Sequence, residues 1–256
     1  MPYIISHSLK IYYEVHGQGS PILLLHGYSS SFERNWLRLE WVEFLTARDF
    51  QVIGLDLRGH GHSDKPLDPD LYTTDLMSQD VLHLLDRLYI GPIHLFGFSM
   101  GGGIALHLAI NQPEWVQRVA ICGVGDAAIR GQHDPQQLAE IAFALTTDDP
   151  HTKATPFGRH FRTLVDVPGN DLRALAALMR GPGWPGYVEI KQAPAVPVLI
   201  VKAEQDEYMP SVEKLMKALP QAQLQIIPAT NHFTVIRDEF CKEVVLRFLR
   251  ESGSVV

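Results

Sequence analysis

The sequence has few cysteines, no long hydrophobic run and no excess of positive charge. Cys122 and Cys241 lie far apart and form no C-x-x-C pair, so neither a disulfide framework nor a thiolate zinc site can be built, and both are expected to be buried apolar side chains. No stretch approaches the roughly 20 apolar residues that span a bilayer, and the N-terminus lacks the features of a secretory leader. We therefore expect a cytoplasmic protein with no membrane partner.

The charge balance argues against a polyanionic partner. Lys and Arg number 22 against 29 Asp and Glu, for a formal charge of −7, so nucleic acid is not expected to bind. With 46% hydrophobic and 20% charged residues, the composition excludes disorder and collagen-like repeats and predicts a soluble globular protein. The length of 256 residues suits one large domain with an insertion. The oligomeric state stays open.

Short unbroken apolar runs predict strands that are buried on both faces of a parallel sheet. These runs lie at 21–25, 51–55, 92–96, 118–122 and 197–201. The alternating segment 10–15 predicts antiparallel pairing at one edge, and 223–227 is predicted as a further edge strand. Helical patterns occupy 77–88, after a Thr73 or Thr74 cap, and 240–248. This alternation predicts an α/β fold with helices on both faces of the sheet.

One segment breaks the alternation. Residues 138–145 and 172–179 keep helical spacing without an intervening strand. The predicted organisation is a core formed by 1–125 and 188–256, interrupted by a helical lid at 126–187. Such an insertion would lie over the carboxyl ends of the strands, where open α/β sheets bind ligands. The alternative is that these helices only cover an exposed sheet edge.

The segment 97–101 reads GFSMG and matches G-x-S-x-G between the strand 92–96 and a predicted helix at 101–110. A strand that turns at once into a helix forces its apex to positive φ, and the flanking glycines remove Cβ atoms that would collide. The Ser99 hydroxyl is therefore predicted to be exposed as a nucleophile. Glycines 102–103 should let the helix pack close to the sheet. The alternative is an ordinary helix N-cap.

A serine nucleophile requires a base, and the base requires a carboxylate that fixes its tautomer. Asp206 follows the strand 197–201, and His232 follows the strand 223–227, in the order Ser, Asp, His. His232 could instead be a surface histidine with other partners. Asp126 is the alternative acid, because some relatives of this arrangement take it from the loop after the preceding strand.

Ordered motifs along nearly the whole chain resemble the α/β-hydrolase superfamily. They are HG at 26–27, DLRGHGHS at 56–63, GFSMGGG at 97–103, E-x-D-x-x-x-P at 204–210 and NHF at 231–233. The resemblance implies an eight-stranded, mostly parallel sheet and a serine hydrolase without cofactor or metal. It also implies Ser99 as nucleophile, His232 as base and Asp206 as acid.

The same resemblance implies an oxyanion hole made by the backbone N–H groups of Tyr28 and Met100. Ala203 departs from the family, which often has glycine three residues before the acid. Candidate substrate-pocket residues, with burial in the core as the alternative, are Phe98, Trp184 and Met209.

Two further motifs are weak. The H-x-H-x-D segment at 60–64 resembles the start of a metal cluster, but Lys65 stands where another histidine would be needed, so no metal is expected. The G-x-G-x-x-A segment at 123–128 mimics a dinucleotide fingerprint, yet it lies in the middle of the chain and no acidic residue closes a second strand about 20 residues later.

The predicted activity is hydrolysis of a small or medium carboxylic ester, thioester or lactone through an acyl-enzyme on Ser99. Carbon–carbon bond hydrolysis and perhydrolysis of the non-haem haloperoxidase type would use the same three residues and stay open. A ligand receptor on this scaffold is a further alternative. The substrate is a small molecule that the sequence does not identify.

Overall fold

The computed structural model describes residues 2–129, 134–182 and 186–251. Eight strands form one sheet in the order β1-β2-β4-β3-β5-β6-β7-β8. They are β1 Tyr3–Ser6, β2 Leu9–His16, β3 Ser20–Leu25, β4 Phe50–Leu55, β5 Ile93–Phe98, β6 Val116–Cys122, β7 Val198–Ala203 and β8 Gln223–Ile227. From β4 to β8 all neighbours are parallel, whereas β2 pairs antiparallel with both β1 and β4. The predicted α/β fold class is confirmed.

Helices cover both faces of the sheet, which explains the unbroken apolar runs of the strands. One face carries α1 Trp41–Thr46 and α9 Glu239–Arg250, and the other carries α2 Thr74–Leu88, α3 Met100–Asn111 and α8 Glu213–Ala218. Successive side chains of a strand point to opposite faces. Leu23 and Leu25 of β3 accordingly join the α2 and α3 cluster, while Ile22 and Leu24 join the α1 and α9 cluster. Burial of each such side chain stabilises the fold by about 1.5–3 kcal/mol.

Both threonines at the start of α2, Thr73 and Thr74, form side-chain hydrogen bonds. The Thr73 hydroxyl caps the helix by accepting from the Leu76 N–H at 3.1 Å. Thr74 does not cap. Its hydroxyl donates to the carbonyl oxygen of Tyr187 and accepts from the N–H of Gly186, both at 3.2 Å. This contact attaches the segment returning from the helical insertion to α2.

Further helices separate β6 from β7. They are α4 Pro135–Thr146, α5 Pro150–Lys153, α6 Pro156–Val165 and α7 Leu172–Arg180. Their apolar side chains form a small cluster of their own, which packs against Tyr28. The two ends of this helical segment meet where Ile129 forms a parallel β-bridge with Val188. The Val188 N–H donates to the Ala128 carbonyl oxygen at 2.8 Å. The division of the chain into a core and a lid stays a prediction.

The remaining expectations on the fold concern cysteines and membranes. Cys122 in β6 and Cys241 in α9 are free and buried, as predicted. Among the residues placed by the structure, no helix combines the length and the apolarity needed to cross a membrane.

Candidate active site

Ser99 is the single residue between β5 and α3. Its backbone adopts φ 52° and ψ −117°, a left-handed conformation that costs a non-glycine residue on the order of 1–3 kcal/mol. The Ser99 N–H donates to the Cys122 carbonyl oxygen at 2.8 Å, which ties the turn to the neighbouring strand β6. The side chain is half-buried.

Glycines make this turn possible. A Cβ on Gly97 would lie 2.3 Å from the carbonyl oxygen of Gly101, and a Cβ on Gly101 would lie 2.3 Å from that of Leu25. Neither position could hold a side chain without backbone movement. Gly103 differs from the expectation, because its added Cβ would lie 2.0 Å from the carbonyl oxygen of Gly186. Gly103 therefore allows close packing of α3 against the segment that returns from the insertion, not against the sheet.

The structure brings Asp206, His232 and Ser99 together in a line of hydrogen bonds. The Nδ1 atom of His232 lies 2.9 Å from Oδ2 and 3.1 Å from Oδ1 of Asp206. The Nε2 atom lies 3.2 Å from Oγ of Ser99. Because a carboxylate only accepts, Nδ1 carries the proton, and Nε2 presents its lone pair to the serine hydroxyl.

Asp206 and His232 are both buried, at 4% and 6% exposure. Burial alone would raise the pKa of Asp206, but the hydrogen bond from His232 and the charge of that ring act in the opposite direction. The backbone N–H groups of Tyr208 and Met209 also donate to Oδ1 of Asp206, at 3.0 and 2.8 Å. The net effect holds the pKa of Asp206 below its usual value, so the carboxylate is ionised at neutral pH.

Asp126, the alternative acid, has other partners. Its carboxylate accepts from the Ser211 hydroxyl at 2.7 Å and from the Leu215 N–H at 2.9 Å, in the region of α8. Burial raises the pKa of Asp126, but the Leu215 and Ser211 hydrogen bonds outweigh it and the pKa is lowered. Asp206 rather than Asp126 therefore contacts His232.

His26 orients the peptide that precedes Tyr28. Its Nε2 atom accepts from the Leu57 N–H at 3.0 Å, so the proton lies on Nδ1, which donates to the Gly27 carbonyl oxygen at 2.8 Å. Burial lowers the pKa of His26 to about 4, which keeps the ring neutral. The Gly27 carbonyl and the Tyr28 N–H belong to one planar peptide and point in opposite directions. The imidazole thereby fixes the direction of the Tyr28 N–H.

The two predicted oxyanion donors, the N–H groups of Met100 and Tyr28, belong to segments next to Ser99. Met100 is the first residue of α3, where a helical N–H has no partner one turn earlier. A Cβ on Gly27 would lie 3.5 Å from Cβ of Ser99, which places the Gly27–Tyr28 peptide beside the serine. The Asn35 side-chain oxygen accepts from the Gly27 N–H at 2.9 Å. Sequence reasoning missed Asn35, since no motif marks it.

A cavity of about 750 Å³ opens beside these groups. The lining includes Phe98 and Phe233, the sequence neighbours of Ser99 and His232, together with Tyr28 and with Leu164 and Asn170 from the insertion. Ser99 and His232 themselves are not among the described lining residues. This volume falls in the range of small-molecule sites.

The three predicted pocket residues have different positions. Phe98 lines the cavity and packs with its ring centroid 5.2 Å from that of His232. Met209 is half-buried beside Gly125 and is absent from the lining as far as the structure describes it. Trp184 lies outside the described residues.

The two weak motifs have structural explanations. In the H-x-H-x-D segment, His60 donates from Nδ1 to the Arg58 carbonyl oxygen at 3.0 Å, and burial lowers the pKa of His60 to about 3. Gly123, at φ 65°, packs against the His232 ring, with its Cβ position 3.0 Å from Cε1. Over the described ranges, no group of three or more His, Cys, Asp or Glu side chains could hold a metal ion.

Comparison with known proteins agrees with the fold. A family model for the alpha/beta hydrolase fold matches residues 20–188, more than half of the chain. The protein therefore belongs to the α/β-hydrolase family.

Two curated relatives match part of the chain. The chain is 40% identical over 127 residues to the dihydrolipoyllysine-residue acetyltransferase component of an acetoin cleaving system from Pseudomonas putida, covering 48% of this chain and 32% of that one. It is 36% identical over 122 residues to a 2-hydroxymuconate semialdehyde hydrolase from Pseudomonas sp. strain CF600, covering 47% and 42%. Both matches thus span less than half of the relative.

A solved structure matches over the full length. The enol-lactonase from Burkholderia xenovorans LB400 superposes with a TM-score of 0.77 at 24% identity, covering 98% of this chain and 100% of that chain. This likeness shows the shared fold. Membership of the α/β-hydrolase family supports a hydrolytic enzyme.

Proposed function

We propose that the protein is a serine hydrolase that cleaves a small or medium carboxylic ester, thioester or lactone through an acyl-enzyme on Ser99. The observation that carries the proposal is the continuous line of hydrogen bonds from Asp206 through His232 to Oγ of Ser99. It ends beside a cavity large enough for such a substrate. Residues 126–187 are proposed as a lid, because Leu164 and Asn170 line that cavity.

In the first step, Oγ of Ser99 attacks the substrate carbonyl carbon while its proton passes to Nε2 of His232. The resulting imidazolium donates from Nδ1 to the ionised Asp206, which stabilises the positive charge. The N–H groups of Met100 and Tyr28 hold the oxyanion of the tetrahedral intermediate. One such donor is typically worth about 2.7–4 kcal/mol of transition-state stabilisation.

The intermediate collapses when the bond to the leaving group breaks and Nε2 of His232 returns its proton to the leaving alcohol or thiol. In a lactone the leaving hydroxyl stays attached to the acyl chain. Water then gives a proton to Nε2 and attacks the acyl carbon, which releases the acid and restores Ser99.

A burst experiment tests this proposal. With short-chain p-nitrophenyl esters, the protein should release about one equivalent of nitrophenol rapidly before steady turnover. Ser99→Ala should abolish both phases, while Ser78→Ala, a buried serine in α2, should keep them. Hydrolysis by Ser99→Ala at the parent rate would contradict the proposal.

A second candidate uses the same residues. One relative carries the name 2-hydroxymuconate semialdehyde hydrolase, so carbon–carbon bond hydrolysis is kept as an alternative. Cleavage of a vinylogous diketone, with ester turnover absent, would favour it. Peracid formation from acetate and hydrogen peroxide would instead favour perhydrolysis.

A further inference from the structure

The cavity beside Ser99 carries a charge opposite to that of the whole chain. The protein has a formal charge of −7, yet the lining contains three arginines, Arg34, Arg38 and Arg237, against one carboxylate, Glu33. A concave surface of one sign concentrates its field and attracts ligands of the opposite sign. The lining therefore favours an anionic ligand.

One arginine is already neutralised. Arg38 donates to Oε1 of Glu33 at 3.1 Å from Nε and 2.8 Å from Nη2. This hydrogen bond is the main reason that the pKa of Glu33 is lowered. Arg38 holds the one carboxylate of the lining by hydrogen bonds, and Arg34 interacts with it through charge alone, so three arginines against one carboxylate leave an excess of positive charge in the cavity.

Arg34 is held in place by neutral groups only. Its Nη1 donates to the Ser29 carbonyl oxygen at 3.3 Å and to the Asn170 side-chain oxygen at 3.1 Å, and Nη2 donates to the Pro168 carbonyl oxygen. These contacts fix the half-buried guanidinium between the loop after β3 and the loop between α6 and α7 without neutralising it. In the described part of the chain, Arg34 forms no ion pair.

Arg237 provides a second cation. It ends the short turn 235–237 after His232 and is exposed at the cavity. No ion pair or hydrogen bond of its side chain occurs among the described residues. The lining also includes the apolar side chains of Phe98, Leu164 and Phe233. An apolar chain with a terminal charge would match this combination of apolar walls and cations.

We infer that Arg34 and Arg237 bind a carboxylate at the far end of the substrate, so that the preferred ester or lactone derives from a carboxylate-bearing acid. The inference rests on the proposed hydrolytic function. Arginine suits this role because its planar, fixed fork of donors matches the two oxygens of a carboxylate. The apolar walls favour an aliphatic chain between the carboxylate and the carbonyl that reacts.

Two esters of equal chain length test the inference. The mono-4-nitrophenyl ester of adipic acid carries the carboxylate, and 4-nitrophenyl hexanoate lacks it. The kcat/KM for the adipate ester divided by that for the hexanoate ester should fall about tenfold in Arg237→Gln and in Arg34→Gln. The fall should come from a higher KM for the adipate ester. The kcat/KM for the hexanoate ester should stay within about twofold of the parent value. Arg87→Gln, an exposed arginine of α2, should leave the ratio unchanged. A ratio that neither cavity variant changes, or that only one changes, overturns the two-arginine site.

A binding measurement separates this inference from the proposed function. Ser99→Ala should bind adipate in titration calorimetry, and adding Arg237→Gln should weaken that binding about tenfold. If Ser99→Ala hydrolyses both esters at the parent rate, the proposed function fails while calorimetry still tests the subsite. If Ser99-dependent hydrolysis is seen but adipate binds both proteins equally, the inference alone fails. Arg237→Gln removes no hydrogen bond or ion pair among the described residues, so it stays informative if Arg34→Gln does not fold.

Discussion

The Nε2 atom of His26 accepts a hydrogen bond from the Leu57 N–H at 3.0 Å. This contact leaves the ring proton on Nδ1, where it binds the Gly27 carbonyl oxygen and directs the next N–H, that of Tyr28. We therefore expect this buried histidine to act as a positioning residue for the proposed oxyanion hole.

His26→Leu should lower kcat about 10- to 100-fold while KM changes by less than about twofold, because a misdirected donor loses part of the roughly 10²- to 10³-fold effect of an oxyanion contact. Steady-state kinetics, corrected for active sites titrated with a fluorophosphonate, measure the effect. His94→Leu, another buried histidine, is the control. Parent kcat in His26→Leu would show that the peptide keeps its direction without the imidazole.

Substitutions of the two candidate acids, Asp206 and Asp126, should have opposite effects on activity and stability. Asp206→Asn should lower kcat about 10³- to 10⁴-fold, because the amide no longer fixes the His232 tautomer or stabilises the imidazolium. Asp126→Ala should keep kcat within about twofold and lower stability by about 1–3 kcal/mol, since the Ser211 and Leu215 groups lose their acceptor. Ester kinetics and urea unfolding of both variants measure the contrast. The reverse ranking would move the acid to Asp126.

His94 should make the protein sensitive to acid. Burial, with a smaller effect of Arg118, lowers the pKa of His94 to about 4, against about 6.5 for an unfolded histidine. The unfolded chain therefore binds a proton that the folded chain does not between about pH 6.5 and 4, so stability falls as the pH is lowered through this range. One proton corresponds to about 1.4 kcal/mol per pH unit.

His94→Leu should reduce that slope by about one proton, as measured by urea unfolding from pH 7 to 4. Its Nδ1 is buried without a hydrogen-bond partner among the described groups, so the substitution should cost little at pH 7. The exposed His151→Leu is the control and should leave the slope almost unchanged. Equal slopes for the parent and His94→Leu would mean that folding does not lower the pKa of His94.

Breaking the ion pair between Arg58 and Asp80 should cause a large loss in the free energy of unfolding. Both side chains are fully buried, and Oδ1 and Oδ2 of Asp80 each accept from Arg58 at 2.7 Å. Asp80→Ala leaves a buried guanidinium without a counter-charge and should cost about 3–5 kcal/mol in urea unfolding. Asp86→Ala, on the exposed side of the same helix, should cost less than about 0.5 kcal/mol. Similar losses in both variants would contradict this account.

Patterns set by local geometry could be predicted from the sequence. The apolar runs predict the buried strands because both faces of the sheet are covered. The glycines at 97 and 101 mark the Ser99 turn because a Cβ at either position would collide with backbone. The helices α5 and α6 were not predicted, although each begins with proline after a capping residue, Asp149 or Thr155. The helix α5 is only four residues long, which is too short to show a period. In α6, however, Phe157, Phe161, Leu164 and Val165 keep helical spacing, so this helix could have been predicted from the sequence.

Contacts between distant segments could not be predicted. Asp126 and Asp206 both follow strands, and only the packing of α8 directs the first away from His232. Asn35 and Arg34 lie in a polar segment without a motif. Asn35 contacts Gly27, and Arg34 contacts Asn170 in the loop at 166–171. Such roles arise from tertiary placement, which no spacing along the chain encodes.

Ser99 is proposed as the nucleophile that His232 activates. Peptide mass spectrometry after reaction with a fluorophosphonate identifies the nucleophile. We expect one adduct, on the peptide containing Ser99, formed at least about 100-fold more slowly in His232→Ala. An adduct on a different serine, or an unmodified Ser99 in a protein whose esterase activity the reagent has abolished, would contradict it.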